Sequence, residues 1–143
     1  MRAGKVWPRL HLSILRSQVA EVPKRVLVVD DEPAVTRAWA RLLRSGGFEA
    51  QELQDSGEAL AAARAYQPHA VILDYKMTPF TGIDVARQFA EDASLQSVPI
   101  LICSGTQEIP LADLPSANIP VVRKPLDAEV LFDWLRERLT QEP

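Results

Sequence analysis

The 143-residue chain is long enough for one domain with a real core, and its 47% hydrophobic and 24% charged residues are ordinary for a globular protein. Its formal charge of −3 is uneven: residues 1–24 carry five basic side chains and one acidic, a net +4, whereas residues 25–143 carry 11 basic and 18 acidic, a net −7. An acidic main part argues against direct nucleic-acid binding, which needs a basic face.

The chain has one cysteine, Cys103, which excludes an internal disulfide and fits a reducing compartment. Cys103 lies in an apolar run, which predicts a buried and inert thiol. His11 and His69 are isolated in the sequence and show no spacing typical of metal ligands. No apolar run approaches the ~20 residues needed to cross a membrane, so we expect a cytoplasmic protein without a membrane partner.

Residues 1–24 differ in character from the rest of the chain, because His11, Ser13 and Arg16 interrupt their apolar residues. That pattern is too polar for the core of a signal peptide. Three interpretations stay open: a poorly ordered leader, which we favour, an amphipathic docking or membrane-surface helix, or an upstream extension of a chain whose working start lies near Lys24. We assign 1–24 to an N-terminal extension, 25–140 to one folded domain and 141–143 to a C-terminal tail.

Five apolar runs of strand length alternate with helix-favouring segments after residue 24. The predicted strands are 25–29, 48–53, 70–74, 99–103 and 119–123, and the predicted helices are 33–44, 60–65, 82–91 and a last one after Asp127. Pro110 and Pro115 leave room for only a short or irregular fourth helix between residues 106 and 118. The alternation predicts right-handed βαβ units, and therefore one doubly wound parallel sheet with helices on both faces.

Apolar residues at helical spacing predict which helix faces point inward. The predicted inward residues are Val35, Ala38, Trp39, Leu42 and Leu43 in the first helix, Ile83, Val85, Ala86, Phe89 and Ala90 in the third, and Val130, Leu131, Trp134, Leu135 and Leu139 in the last. Gly46 and Gly47 are expected to end the first helix. Asp55 or Ser56 is expected to cap the second helix, and Glu58 follows Asp55 at the spacing of a capping box. Asp127 is expected to cap the last helix.

Polar side chains follow four of the five predicted strands. Asp30 and Asp31 follow the first strand, Asp74 ends the third, Ser104 follows the fourth and Lys124 follows the fifth. In a parallel sheet these ends meet at one edge, which is where ligands bind. An aspartate at a strand exit also caps turns, so for Asp74 taken alone capping and chemistry both stay open.

Three carboxylates at one edge of the sheet would repel one another and raise one another's pKa values, unless a cation offsets their charge. Mg²⁺ is the natural candidate because it is a hard cation that takes carboxylate oxygens and keeps waters. Lys124 would add a second, fixed positive charge. Such an assembly suits phosphoryl transfer, in which a carboxylate becomes an acyl phosphate and positive groups neutralise the phosphoryl oxygens.

Over about residues 25–140 the chain resembles the receiver domain of two-component response regulators, in a stand-alone, single-domain form. The motifs that carry the resemblance are Val28-Val29-Asp30-Asp31-Glu32, Leu73-Asp74-Tyr75-Lys76-Met77, Gly82, Ile102-Cys103-Ser104-Gly105 and Lys124-Pro125. Each motif alone is weak, but their order and their position at strand ends make the combination specific. The resemblance implies a flavodoxin-like fold with strand order 2-1-3-4-5.

The resemblance also implies an acceptor and a metal site. Asp74 would be the phosphoacceptor, receiving its phosphoryl group from a phosphohistidine on a histidine kinase or a phosphotransfer protein. Asp31 would bind Mg²⁺ directly and Asp30 largely through water, and Asp74 and the backbone carbonyl of Lys76 would complete the protein ligands.

Four more residues receive roles from the same resemblance. Lys124, expected to be followed by a cis bond to Pro125, would pair with a phosphoryl oxygen. The hydroxyl of Ser104 would move onto the phosphoryl group and report its presence. Gly82, eight residues after the acceptor, would be structural.

Three departures from the family pattern bear on the output of the signal. Val121 stands where the family usually has a switch aromatic, three residues before the lysine. The segment from 104 to 124 is broken by prolines where a full helix is usual. Thr78 replaces the usual proline after the acceptor, with Pro79 one residue later, and the side chain of Lys76 lies where it could affect attack by water on an acyl phosphate.

Three functions follow from these observations. The first is a phosphorylation-controlled receiver that passes its signal to a downstream protein by protein–protein interaction. Because the chain ends at Pro143, soon after the last helix, we expect no attached output domain, and at most autophosphorylation and autodephosphorylation activity. The second is a module with the same fold that works without phosphorylation. The third is an aspartyl-phosphate hydrolase, disfavoured because Lys76 stands where such enzymes carry a general-acid aspartate.

Overall fold

The computed structural model describes residues 22–139. The strands are β1 (Arg25–Val29), β2 (Glu49–Leu53), β3 (Ala70–Asp74), β4 (Ile100–Ser104) and β5 (Val121–Arg123). The helices are α1 (Pro33–Ser45), α2 (Ala59–Tyr66), α3 (Gly82–Ala90) and α4 (Ala128–Leu139), and short 3₁₀ turns lie at Ser56–Glu58 and Leu111–Asp113.

The five strands form one parallel sheet in the order β2-β1-β3-β4-β5. The register pairs Val26 with Ala70 across β1 and β3, and Asp74 with Cys103 across β3 and β4. Central strands β3 and β4 are buried along their whole length, as expected for strands covered on both faces. The predicted doubly wound, flavodoxin-like architecture is therefore confirmed.

Alternate residues of each strand point to opposite faces of the sheet and supply two separate core clusters. In the first cluster, Val26 and Val28 of β1 pack with buried residues of α1 and α4. In the second cluster, Leu27 and Val29 pack with buried residues of α2 and α3. The two helical layers are thus held to the sheet by the two side-chain sets of the same strands.

Three of the predicted inward residues are wrong: Ala38, Ala90 and Val130 are exposed. Val130 is 46% exposed, whereas its neighbour Leu131 is fully buried. Each of the three lies four residues from another apolar residue of its helix, so helical spacing alone could not separate it from the buried residues. In α1 the buried face takes Ala40 in place of Ala38.

The ends of α1 and α4 agree with the predicted caps, and the start of α2 differs from the prediction. Gly47 adopts a φ of +92° directly after α1, and Asp127 accepts the backbone amide of Glu129 at 2.7 Å at the start of α4. Asp55 accepts the amide of Gly57 at 2.9 Å and begins a 3₁₀ turn, so the predicted capping box with Glu58 is wrong.

The connection between β4 and β5 contains only the 3₁₀ turn Leu111–Asp113, which confirms the prediction of a short or irregular fourth helix. Strand β5 also begins two residues later than predicted, at Val121, because Pro120 has no amide hydrogen for the sheet. A cavity of about 480 Å³ lies beside this connection, lined by apolar residues of α3 and α4 and by the residues that precede β4. It opens at the amino ends of the strands, away from the predicted site.

Neighbouring residues of α4 give a direct test of this packing. We expect Leu131→Ala to lower the free energy of unfolding by about 2–5 kcal/mol, because it empties space in the first cluster. Val130→Ala is expected to change it by no more than about 0.5 kcal/mol, since Val130 is half exposed. Urea unfolding followed by circular dichroism measures both, and equal losses would contradict the orientation of α4.

Candidate functional site

The carboxyl ends of the central strands bring three aspartates together. Asp30 directly follows β1, is fully buried, and accepts the amide of Glu32 on Oδ1 at 2.9 Å. Asp74 is the last residue of β3 and is 5% exposed, whereas Asp31 faces solvent. One carboxylate oxygen from each aspartate lies within 4.8 Å of the others. The sequence prediction that Asp30, Asp31 and Asp74 lie together is therefore confirmed.

Lys124 reaches this cluster from the far side of β4. Its amide donates to the carbonyl of Ser104 at 2.8 Å, which holds the residue in line with β4 as the chain leaves β5. Its Nζ lies 2.9 Å from Asp74 Oδ1 and 3.0 Å from Asp30 Oδ2. The peptide bond to Pro125 is cis, as predicted. One ammonium thus bridges two buried carboxylates.

Burial and neighbouring charges both shift the pKa values of Asp74 and Lys124. The pKa of Asp74 is raised, mainly because burial disfavours its charged form, and the nearby charge of Asp30 adds to the effect. The hydrogen bond from Lys124 opposes the rise. For Lys124 burial acts to lower the pKa, but its bonds to Asp74 and Asp30 outweigh this and the pKa is raised. The lysine therefore stays charged.

This cluster fits a hard divalent cation. Three carboxylates offer oxygens within reach of one another, and Asp31 leaves one side of the cluster open to water. Oxygen ligands with retained waters are the environment that Mg²⁺ prefers. The raised pKa of Asp74 also shows that the ammonium of Lys124 alone does not offset burial and the neighbouring negative charge. The predicted cofactor thus agrees with the donor set.

Gly82 lies where the chain packs back against the strand end. Its amide donates to the carbonyl of Tyr75 at 2.8 Å. A Cβ at this position would lie 2.5 Å from the carbonyl oxygen of Asp74 and 3.2 Å from the Cα of Tyr75. Only glycine permits this contact, so Gly82 determines how closely α3 begins beside the acceptor position. The structural role predicted for Gly82 has this physical basis.

The hydroxyl of Ser104 is engaged with its own loop. Ser104 is the last residue of β4 and is 1% exposed. Its Oγ donates to the carbonyl of Thr106 at 2.8 Å and accepts the amide of Thr106 at 3.0 Å. Sequence reasoning placed Ser104 at the site edge, but it did not find Thr106 as the partner.

The structure also describes two other predicted positions, Lys76 and Val121. Lys76 is exposed in the loop after β3, where the peptide bond between Thr78 and Pro79 is cis. Val121 is half-buried and packs against the second cluster. The cis bond at Pro79 had no signal in the sequence beyond the X-Pro dipeptide itself.

The sequence did not connect one side chain that lies beside the site with it. Trp39 of α1 was predicted as core, and it is indeed 7% exposed in the first cluster. Its ring also lies under the ammonium of Lys124, with Nζ 5.9 Å from the ring centroid. No periodicity in the sequence could relate Trp39 to a lysine 85 positions later.

Thiol and histidine chemistry do not fit the other candidate residues. Cys103 is buried, and burial raises its pKa to about 12, so the thiol is unreactive at neutral pH. His69 lies at the opposite end of the sheet, where its Nδ1 accepts the amide of Arg25 at 2.9 Å. Within residues 22–139, no helix has the length and apolar character needed to cross a membrane.

Comparison with known proteins gives a family match and similar full-length relatives. A family model described as the response regulator receiver domain matches residues 26–136. The DNA-binding response regulator MtrA of Mycolicibacterium smegmatis is 33% identical over 116 residues, which cover 81% of this chain and 50% of that protein. The response regulator MprA of Mycolicibacterium vanbaalenii is 32% identical over 120 residues, 82% of this chain and 51% of that protein. The chain spans about half the length of these curated relatives.

Solved structures share the fold at lower identity. The chemotaxis response regulator CheY4 of Vibrio cholerae matches with a TM-score of 0.72 and 23% identity, covering 82% of this chain and 100% of that chain. A CheY-like response regulator receiver domain protein from Methanospirillum hungatei matches with a TM-score of 0.75 and 20% identity, covering 84% and 96%. At these identities the likeness establishes the common fold.

The close approach at Gly82 predicts a steric cost. We expect Gly82→Ala to lower the free energy of unfolding by about 1–3 kcal/mol, because the new Cβ overlaps the backbone carbonyl of Asp74. Gly105→Ala is the matched control, since a Cβ at Gly105 meets nothing within 4 Å. Thermal and urea unfolding of both variants measure the difference, and equal stability of the two would contradict the packing described for Gly82.

The raised pKa of Asp74 predicts how stability depends on pH in metal-free protein. A carboxyl whose pKa is higher in the fold than in the unfolded chain stabilises the fold below its unfolded pKa, near 3.8, and this stability is lost as pH rises through the folded pKa. Asp74→Asn removes this titration. We therefore expect the stability of Asp74→Asn relative to wild type to increase as pH rises from about 4.

Urea unfolding in a chelator across this pH range measures the difference. Asp113→Asn, at an exposed aspartate of the β4–β5 connection, serves as the control for replacing a carboxylate by an amide. A difference between Asp74→Asn and wild type that is constant with pH, or that falls as pH rises, would contradict the prediction.

Proposed function

This chain belongs to the response regulator receiver-domain family, and from that premise we propose that it accepts a phosphoryl group on Asp74 and signals through the resulting change of charge. The observation that carries the proposal is the bridge from Lys124 to both Asp74 and Asp30, beside the exposed carboxylate of Asp31. A buried acceptor, a fixed cation and a set of hard oxygen ligands are the components that phosphoryl transfer requires.

In the proposed reaction a carboxylate oxygen of Asp74 attacks the phosphorus of the donor and forms the acyl phosphate bond. The bond from phosphorus to the leaving group breaks, and its electron pair stays on that group, the imidazole nitrogen of a phosphohistidine or the oxygen of a small acyl phosphate. Lys124 already contacts Asp74, so its ammonium is placed to pair with an oxygen of the phosphoryl group after transfer.

Asp31 and Asp74 would hold Mg²⁺ directly, and Asp30 would contact it largely through water. The carbonyl of Lys76 is the further ligand that the family resemblance implies. When bound, Mg²⁺ neutralises phosphoryl oxygens and lowers the repulsion between the donor and the carboxylates. Asp30 itself is fully buried and already bonded to Lys124 and to the amide of Glu32, which suits contact through water more than direct ligation.

The proposed partners are a histidine kinase or phosphotransfer protein as donor and a second protein as the downstream target. The phosphoryl group carries about −1.5 to −2 charges, and the acyl bond removes the −1 charge of the Asp74 carboxylate, so this edge of an already acidic domain becomes more negative by about 0.5 to 1 charge. We assign the receiver domain to residues 25–140 and its place of action to the cytoplasm. The curated relatives named as DNA-binding are about twice as long as this chain, so their DNA binding is not carried over to it.

A module that works without phosphorylation is the second candidate, and two observations favour it. The hydroxyl of Ser104 is bonded twice to Thr106, and Val121 replaces the aromatic expected from the family pattern. The complete set of Asp30, Asp31, Asp74 and Lys124 favours the phosphorylated receiver. Three neighbouring carboxylates repel one another, and that cost has a function only if the site binds a cation and a phosphoryl group.

Phosphorylation of Asp74 is the decisive test. Purified protein is mixed with Mg²⁺ and a small acyl-phosphate donor, and its intact mass is recorded over time. We expect one phosphate-sized gain in the wild type and none in Asp74→Asn, with the gain abolished by a chelator of Mg²⁺. Asp113→Asn controls for the loss of an exposed aspartate and is expected to behave as the wild type.

Failure with every donor, including phosphorylated histidine kinases and phosphotransfer proteins, would refute the receiver function and leave the phosphorylation-independent module. A gain that persists in Asp74→Asn would assign the acceptor to another residue. Steady release of phosphate from a phosphate ester would instead indicate a hydrolase.

A further inference from the structure

The ammonium of Lys124 has three neighbours of different chemical kinds. Two are the carboxylates of Asp74 and Asp30, at 2.9 and 3.0 Å. The third is the face of Trp39, whose centroid lies 5.9 Å from Nζ. The lysine side chain is 26% exposed and the tryptophan is 7% exposed, so the ammonium is partly shielded from water where it meets the ring. Shielding strengthens the attraction between a cation and an aromatic face.

The proposed reaction competes with Lys124 for both of the carboxylates that it contacts. Asp30 and Asp74 belong to the same carboxylate cluster that fits a divalent cation, so a bound cation and Lys124 draw on the same groups. Asp74 also gives up a carboxylate oxygen when it forms the acyl phosphate bond. The face of Trp39 offers no oxygen for a hard cation and takes no part in the acyl phosphate bond, so neither event uses the ring.

We propose that Trp39 is a positioning residue. Its ring keeps the ammonium of Lys124 over the carboxylate edge when a bound cation or the acyl phosphate bond competes for Asp30 and Asp74. This inference rests on the proposed phosphoryl transfer to Asp74. The electron-rich ring face supplies the attraction, and α1 supplies the rigidity, because Trp39 is packed into the first cluster. Without the ring, the long lysine side chain gains freedom to turn toward solvent.

A purely structural role for Trp39 makes a different prediction. If the ring only fills the core, its loss would have the same effect as the loss of any other buried tryptophan. Trp134 of α4 is the matched control, since it belongs to the same cluster and is 8% exposed. It lines the cavity beside Pro99 and Ile100 at the amino end of β4, the opposite end of the sheet from Lys124.

The test compares initial rates of phosphorylation by a small acyl phosphate in Mg²⁺, at a temperature where circular dichroism shows every variant to be folded. We expect Trp39→Met to lower the rate about 3- to 10-fold and Trp39→Phe, which keeps an aromatic face, to recover most of the loss. Trp134→Met is expected to stay within about twofold of the wild type. Trp39→Met should have no further effect in a Lys124→Met background, because the ring acts through the lysine.

A second readout does not depend on turnover. In a Trp7→Phe, Trp134→Phe background the remaining fluorescence reports on Trp39 alone. We expect Lys124→Met to change this emission, and the difference to persist after Mg²⁺ is added. A difference that disappears with Mg²⁺ would show that the ammonium leaves the ring in the metal-bound protein, and would overturn the inference.

The outcomes separate this inference from the function on which it rests. Wild-type protein that takes up no phosphate from any donor overturns both. Normal phosphorylation of the wild type, with equal losses in Trp39→Met and Trp134→Met, overturns only the positioning role. The positioning role is also overturned if the loss in Trp39→Met remains undiminished in the Lys124→Met background.

Discussion

Charge compensation between Lys124 and the buried carboxylates of Asp30 and Asp74 is the constraint on which the site depends. A carboxylate with little exposure is tolerated only when a partner offsets its charge. The strand order makes the offset possible, because β1 and β3 are neighbours and their ends place the two aspartates side by side. Lys124 directly follows β5, which lies two strand spacings, or roughly 10 Å, from β3. Only a long side chain that crosses the end of β4 can therefore reach Asp74 at the end of β3.

The sequence contained enough to predict the sheet and its charged edge. Strands buried in a parallel sheet are continuous apolar runs, and the runs that end in Val29 and Asp74 have the length of such strands and are too short for helices. Once the strands are parallel, their carboxyl ends share one edge, so the proximity of Asp30, Asp74 and Lys124 follows from topology. The irregular β4–β5 connection was equally predictable, since Pro110 and Pro115 cannot continue a helix.

What the sequence could not provide depends on contacts between distant parts of the chain. Val130 and Leu131 are both apolar and adjacent, and only the packing of α4 on the sheet decides which is buried. The face of Trp39 meets Lys124 because α1 packs on the same side of the sheet as the lysine stem. Gly82 could be recognised from a family pattern, but its physical cause, a carbonyl where a Cβ would stand, exists only in three dimensions.

The hydrogen bonds of Ser104 join the end of β4 to the loop that follows it. Its hydroxyl holds both the carbonyl and the amide of Thr106, so any rotation of the hydroxyl toward Asp74 gives up two hydrogen bonds to the loop backbone at once. That loop leads into the irregular connection, where Leu111 is 59% exposed. Val121, at the position of the usual aromatic, is half-buried against the second cluster. Two ordinary hydrogen bonds together contribute about 1–3 kcal/mol, comparable to typical coupling free energies between sites.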